Sequence, residues 1–441
     1  MSRVRMNPNG RKKIHITTLG CSKNLYDSEI LMGQLLSYGA TLTEEPREAD
    51  VIILNTCGFI TPAKQESIQA ILEAGQLKKD NSNLQILVCG CLSTRYSQSL
   101  IKEIPEVDAH FGTEDYSRIL KFLNLPISET GHLYEERYLS QKKHYAYLKI
   151  SEGCNHKCAF CAIPLMRGFH RSRRFEDIIH EAEILAEKKV KEIILIAQDT
   201  TFYGLDLYHR QRVIELLSHL EKINEIEWIR IHYAYPTTFQ PGLIDLIRNS
   251  DKIVHYLDLP IQHISDKMLK IMKRGGTSRK IKSILDLLRV KIPDIVLRTT
   301  LLVGHPGETE NDFRELTNFV EEFKFDRLGV FKYSPEENTP AVKLKAPAEN
   351  IAEERYEEIM ALQQKISYQK NMEKRNKLFK VLIDEIDRAK NVALGRTYGD
   401  SPEIDNEVII ENLTENVFEG KFYNVKIVDT LEYELFGQIL E

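Results

Sequence analysis

The sequence predicts an α/β protein in three parts. These are an amino-terminal open parallel α/β sheet, a central partial (β/α)6 barrel related to the eight-fold barrel, and a small carboxy-terminal antiparallel β-barrel, OB-like in size. Three observations carry this. Apolar runs alternate with amphipathic helical patterns in the first part, the alternation resumes through six units from Tyr145, and after a charged helix it gives way to five short strands split by turns. The expected limits are 12–125, 144–373 and 374–441. The chain of 441 residues is 42% hydrophobic and 28% charged, enough for full cores, and its formal net charge of −5 is too mild to imply a nucleic-acid or membrane partner for the whole chain.

The start, MSRVRMNPNGRKK, is basic with no apolar stretch behind it, so it is expected to be a disordered tail rather than a signal or an anchor. KIHITTLGC is a strand run ending at Cys21, ADVIILNTC one ending at Cys57 and LQILVCGC one ending at Cys91. Each is followed by a helical pattern, as in LYDSEILMGQLLSYG and TPAKQESIQAILEAGQ. Residues from about Phe122 to Lys143 are polar and aperiodic, a linker. The six strand candidates that follow are YAYLKI, EIILIAQDT, EWIRIHYAYP, IVHYLDLPIQH, DIVLRTTLLVGHPGE and RLGVFKYSP. Their ends carry Cys154, Gln198 with Asp199, Tyr235, Gln262 with His263, Gly304 to Gly307, and Tyr333, and such a fold places its active site at those ends. The last strands are KLFKVLIDEID, VALGRTY, EVIIEN, FYNVKIVD and YELFGQIL.

Seven cysteines in a chain without a signal point to a reducing, cytoplasmic setting, where clustered cysteines mean metal or catalysis. Ligands of open α/β sheets bind beyond the carboxyl ends of the strands, so three parallel strands would bring Cys21, Cys57 and Cys91 to one edge. Buried structural cysteine is the competing reading, weakened because the placement recurs three times. Cys89 lies inside its apolar run and is read as core. SEGCNHKCAFCAIP then sets Cys154, Cys158 and Cys161 four and three positions apart with no fourth cysteine nearby. Three thiolates on a cubane iron–sulfur cluster leave one iron open, as a catalytic metal requires. A Cys₃His zinc site using His156 or His170 is the alternative, and it would make the chain a zinc-stabilised RNA- or protein-binding module without catalysis.

CxxxCxxC after the first strand of a six-unit barrel resembles the radical S-adenosylmethionine enzymes. Their three cysteines hold a 4Fe-4S cluster, and S-adenosylmethionine chelates its open iron. GCSKNLYDSE, NTCGFI, CGCLSTRY, GCNHKCAFCAIP, LRTTLLVGHPGET and GRTYGDSPEID narrow the resemblance to the methylthiotransferases, over nearly the whole chain after the first dozen residues. The resemblance implies a TRAM-like terminal barrel, two 4Fe-4S clusters and S-adenosylmethionine as cofactors. The second cluster, on Cys21, Cys57 and Cys91, would carry sulfur. An external electron donor is implied as well. GCSKN and AQDTT are similar to the branch that modifies the β-carbon of an aspartate in the twelfth protein of the small ribosomal subunit. The branch acting on a tRNA adenosine usually shows GCQMN and GQNV.

Charge bears on that choice independently. From Asn391 to Glu441 there are three basic and eleven acidic residues, a net charge of −8. RNA binding relies on neutralising phosphates, so the terminal barrel is expected to disfavour RNA and to suit a basic ribosomal protein. Around the chemistry, Gln198, Asp199, Gln262, Arg298 and Gly304 are the candidates for the S-adenosylmethionine vicinity, with loop capping, buried pairing or a tight turn as their structural competitors. Of Arg167, Arg171, Arg173 and Arg174, most are expected in a solvated turn and one or two beside a carboxylate in the site. His263 and His305 are expected to be satisfied loop histidines.

Overall fold

The computed structural model describes residues 11–126 and 133–440; the basic start up to residue 10 and the middle of the expected linker, residues 127–132, lie outside them. The chain divides into two units. One runs to Gln141 and includes Glu152–Asn155 and Ala162–Arg171; the other holds Lys142–Ser151, His156–Cys161 and everything from Ser172.

The first unit is built on a five-stranded parallel sheet. Lys13–Thr18 pairs with Val51–Thr56, which pairs with Gln85–Gly90, and the two-residue strands Thr41–Leu42 and Ala109–His110 close the edges. Val51–Thr56 is buried throughout, as a central parallel strand must be. Helices Ser22–Ser37, Thr61–Asp80 and Cys91–Glu103 follow the three long strands. Cys91 opens its helix rather than ending its strand. Both edge strands are too short to leave a period-2 signature, which is why the sequence does not show them.

In the second unit six parallel strands lie in sequence order: Tyr145–Lys149, Glu192–Ile196, Trp228–Ile231, Ile253–Asp258, Val296–Val303 and Arg327–Lys332. The strand expected through Gln262 stops at Asp258. Pro260 cannot donate to the ladder, and Gln262 rejoins the sheet through a single bridge to Leu301. After helix Glu349–Met372, five strands close a barrel: Leu378–Asp387, Val392–Arg396, Glu407–Glu411, Phe422–Thr430 and Glu434–Ile439. Four of its seams are antiparallel as expected. The seam between Glu407–Glu411 and Glu434–Ile439 is parallel, because the last strand lies beside the third rather than at an edge.

The terminal barrel and the loop 397–405 pack against the starts of the six strands. Trp228, Val254, Tyr256 and Val296 form one apolar cluster with Leu382 and Phe422. An ionic layer surrounds it. Arg396 reaches Glu192 at 2.8 Å and Asp384 at 2.6 Å, and Arg230 reaches Glu192 at 2.7 Å. Arg327 pairs with Asp400, and Tyr256 donates to Asp405 at 2.7 Å. The strand ends, at the opposite mouth, are left to the chemistry.

Candidate active site

In the first unit the three strand-end cysteines gather where the sheet edge predicts. Gly20 adopts φ +96°, and a Cβ there would stand 2.6 Å from Cys57 Cβ and 2.9 Å from its Sγ, so the backbone beside Cys21 lies on Cys57. A Cβ on Gly58 would stand 2.9 Å from the Leu92 backbone, so the Cys57 loop lies on the helix that Cys91 opens. Asn24 of GCSKN staples the edge: its Nδ2 donates to the carbonyls of Leu19 at 2.7 Å and Thr56 at 3.2 Å, and its Oδ1 stands 3.9 Å from Cys91 Sγ. Ser67 Oγ holds the Cys57 backbone, accepting from its N–H and donating to its carbonyl, both at 3.0 Å.

Cys21 is exposed, and Cys57 and Cys91 are buried. Burial pushes the Cys57 thiol up, and neighbouring Cys21 adds to it. Burial pushes Cys91 up to about 12, with Arg167 pulling the other way and Cys21 and Cys57 raising it further. The three sulfurs therefore sense one another. Cys89 is buried too, its thiol raised by burial, as a core residue would be.

Arg167 is the arginine of RGFHRSRR that the structure brings to this site. It is buried, with Nη1 on Asp27 at 3.1 Å and on Glu152 at 2.8 Å and Nη2 on Asn24 Oδ1 at 2.5 Å. Arg171 is exposed on Glu114, Arg173 pairs with Glu181 at 2.6 Å, and Arg174 is exposed beside Glu176.

Among the described residues, one set of three metal-capable side chains closes within 4.8 Å: Asp27, Glu114 and Glu152. Two of those already hold Arg167. Cys21, Cys57 and Cys91 are thus near one another without being drawn to the spacing of a single zinc, whose thiolates sit about 2.3 Å from one ion. A cubane spreads its ligands wider, and the donor set of three thiols fits one.

The second trio begins at a turn. Cys154 donates its N–H to the Gly168 carbonyl at 3.1 Å, and Gly153 before it adopts φ +76°. In the second unit, the Ala159 N–H donates to the Met272 carbonyl at 2.7 Å, and Ala341 donates to the Ala159 carbonyl at 2.8 Å. Phe160 packs on Met268, Met272 and Leu302. Cys158 is buried, its Sγ 3.8 Å from the Tyr235 hydroxyl and 3.6 Å from Arg274 Nη1. His156, one of the two histidines the zinc alternative offers, is engaged by other side chains. Its Nε2 lies 2.7 Å from Asp199 Oδ2, and its ring stacks on Tyr235 with centroids 3.7 Å apart.

The other candidates separate. Asp199 caps its loop, accepting from Thr201 N–H at 2.9 Å and from Thr238 at 3.0 Å besides holding His156. Gln198 is half-buried beside it. Gln262 sits at φ +70°, its backbone bonded to Thr300 and Leu302, both at 2.8 Å. Arg298 lies between Asp258 at 3.1 Å and Asp405 at 3.5 Å, so its charge has two carboxylates. Gly304 adopts φ +72° where a Cβ would stand 2.5 Å from Ala352 Cβ, so close packing on helix Glu349–Met372 requires it. His263 accepts from the Ile264 and Ser265 N–H groups at 2.9 and 3.0 Å, and His305 lies between Phe160 and Tyr333. Sequence reasoning missed Arg274. Its signal was an arginine followed by Gly275 and Gly276, both at positive φ.

Comparison with known proteins adds three regions. Residues 13–112 match the family described as "Uncharacterized protein family UPF0004", 148–320 the radical SAM superfamily and 377–440 the TRAM domain. The chain is 48% identical to a protein of Flavobacterium johnsoniae over 97% of this chain and 98% of that protein. It is 46% identical to one of Acetivibrio thermocellus over 98% and 99%, and 48% identical to one of Aquifex aeolicus over 97% and 98%. All three are named ribosomal protein uS12 methylthiotransferase RimO. Among solved structures, the radical S-adenosylmethionine methyltransferase TsrM of Kitasatospora setae superposes with a TM-score of 0.53 at 14% identity, covering 75% of this chain and 74% of that one, a likeness of fold.

Proposed function

Since the chain belongs to the family of ribosomal protein uS12 methylthiotransferases, we propose that it places a methylthio group on the β-carbon of an aspartate in that ribosomal protein. It is a transferase of the radical S-adenosylmethionine class, with S-adenosylmethionine and two 4Fe-4S clusters as cofactors. The observation that carries the reading is identity along the whole chain combined with two cysteine trios, the first gathered at one sheet edge.

In this reading Cys21, Cys57 and Cys91 hold the sulfur-carrying cluster, and Cys154, Cys158 and Cys161 hold the one that meets S-adenosylmethionine. When bound, these groups supply one-electron chemistry able to take hydrogen from an unactivated carbon, which no side chain performs. The chain's own residues position them. Asn24 and Ser67 fix the first sheet edge, and the Ala159 and Phe160 contacts fix the second loop. Gln198 and Gln262, in the loops that follow the strands ending at Ile196 and Asp258, are the proposed contacts for S-adenosylmethionine. Asp199, Arg298 and Gly304 hold protein partners and are given structural parts.

A basic protein substrate suits the acidic carboxyl-terminal stretch, although two of its carboxylates, Asp400 and Asp405, serve as internal counter-ions to Arg327 and Arg298. The reading places the enzyme in the cytoplasm with an external electron donor. Among the described residues no helix is long and apolar enough to cross a membrane.

The test is genetic. A strain lacking this gene should lose a methylthio-sized mass from the small-subunit protein while its tRNA nucleosides stay unchanged. An unaltered ribosomal protein with a methylthio nucleoside missing from tRNA would transfer the assignment to the tRNA branch.

A further inference from the structure

A guanidinium away from bulk water is normally matched by a carboxylate. Among the described residues, the buried arginines obey that rule. Arg167 has Asp27 and Glu152, Arg230 has Glu192, Arg327 has Asp400, and Arg396 has Glu192 and Asp384. Arg274, half-buried as a residue, differs. Among the described residues it forms no ion pair with a carboxylate. Its Nη2 donates to the Pro260 carbonyl, its Nη1 lies 3.6 Å from Cys158 Sγ, and its Nε is buried without a hydrogen-bond partner. The guanidinium carbon lies 4.1 Å from the centroid of the Tyr235 ring, whose hydroxyl donates to the Arg274 carbonyl and lies 3.8 Å from the same sulfur.

We propose that Arg274 is the counter-charge of the cluster held by Cys154, Cys158 and Cys161, fixing the Cys158 sulfur and raising the cluster's reduction potential. The anion Arg274 lacks among the carboxylates is supplied by the thiolates and the cluster they hold. A positive charge and an N–H donor at a ligating sulfur favour the more negative, reduced state, since hydrogen bonds to sulfur and net charge set such potentials. Tyr235 holds the guanidinium beside the sulfur, and the turn through Gly275 and Gly276 ends the segment that carries it. Arg274 is thus a positioning and tuning residue. The inference rests on assigning these cysteines to the cluster.

The experiment uses full-length protein carrying C21A, C57A and C91A, so that one cluster remains, titrated electrochemically with spectroscopic readout and no S-adenosylmethionine present. With Arg274→Met, the ratio of reduced to oxidised cluster at a fixed poise should fall about tenfold, about 59 mV for a one-electron couple. Arg274→Lys, which keeps the charge and loses the planar fork, should fall less. A fully iron-loaded R274M protein with an unchanged midpoint overturns the proposal. If R274M takes up no iron, R274K decides: cluster uptake supports the charge, and a folded R274K protein without iron assigns Arg274 to packing instead. Absence of any cubane signal while Arg274 is intact would overturn the cysteine assignment, and the proposal with it.

Discussion

Arg167 shows how much one side chain carries in the first unit. Its fork joins Asp27, Glu152 and Asn24, and the last of these staples the cysteine edge. Arg167→Met would strand two buried carboxylates, a loss of about 3–5 kcal/mol, read as earlier unfolding in urea. Arg167→Lys should lose less, because it keeps the charge and forfeits only the planar fork. The sequence announced the residue types here better than their partners. The six cysteines proposed as ligands stood out because their spacing and strand-end placement are local signals. The burial of one arginine in a run of four was not, since Arg171 and Arg174 beside it are exposed and nothing in RGFHRSRR distinguishes them. The pairing of Arg298 with Asp405 was hidden for a similar reason: the two lie more than a hundred positions apart, and no periodicity reveals the return of that loop.

Among the elements, the parallel strands were the easiest to read and the joints between them the hardest. Short apolar runs such as VIIL, bounded by turn signals, fit central strands, and the matching strand register then delivers three cysteines to one edge. The parallel seam of the terminal barrel was hidden because alternation fixes which face a strand buries and says nothing of its neighbour's direction. The joint between helix Glu349–Met372 and that barrel carries Lys374. Burial lowers its ammonium to about 8, and nearby Arg327 adds to the effect while Asp400 opposes it. A cation whose folded value lies below its unfolded one costs stability wherever both states are protonated, so the penalty is full below about pH 8 and is relieved as pH rises towards the ordinary lysine range. Stability measured by denaturant should therefore climb between about pH 8 and 10, and Lys374→Met should flatten that slope while raising stability at neutral pH.

At the scale of the whole molecule, the proposed assignment divides the labour between the two trios, and that division can be measured. Replacing Cys154, Cys158 and Cys161 with alanine should abolish cleavage of S-adenosylmethionine. Replacing Cys21, Cys57 and Cys91 should spare cleavage and block sulfur insertion, with product analysed by mass spectrometry. Equal loss of cleavage in both variants would refute separate roles. The intact protein should be brown under anaerobic conditions, with about eight irons per chain if both trios carry cubanes.

The loop 397–405 also bears on anyone who would regraft the protein. It supplies Asp400 to Arg327 and Asp405 to Arg298, while Arg396 just before it meets Glu192. A hybrid cut at the end of the long charged helix, where composition suggests a clean seam, would leave those partners facing a stranger's surface. Exchange of terminal barrels between relatives should therefore take the terminal piece together with the strand openings it covers, or carry the matching charges across as a set.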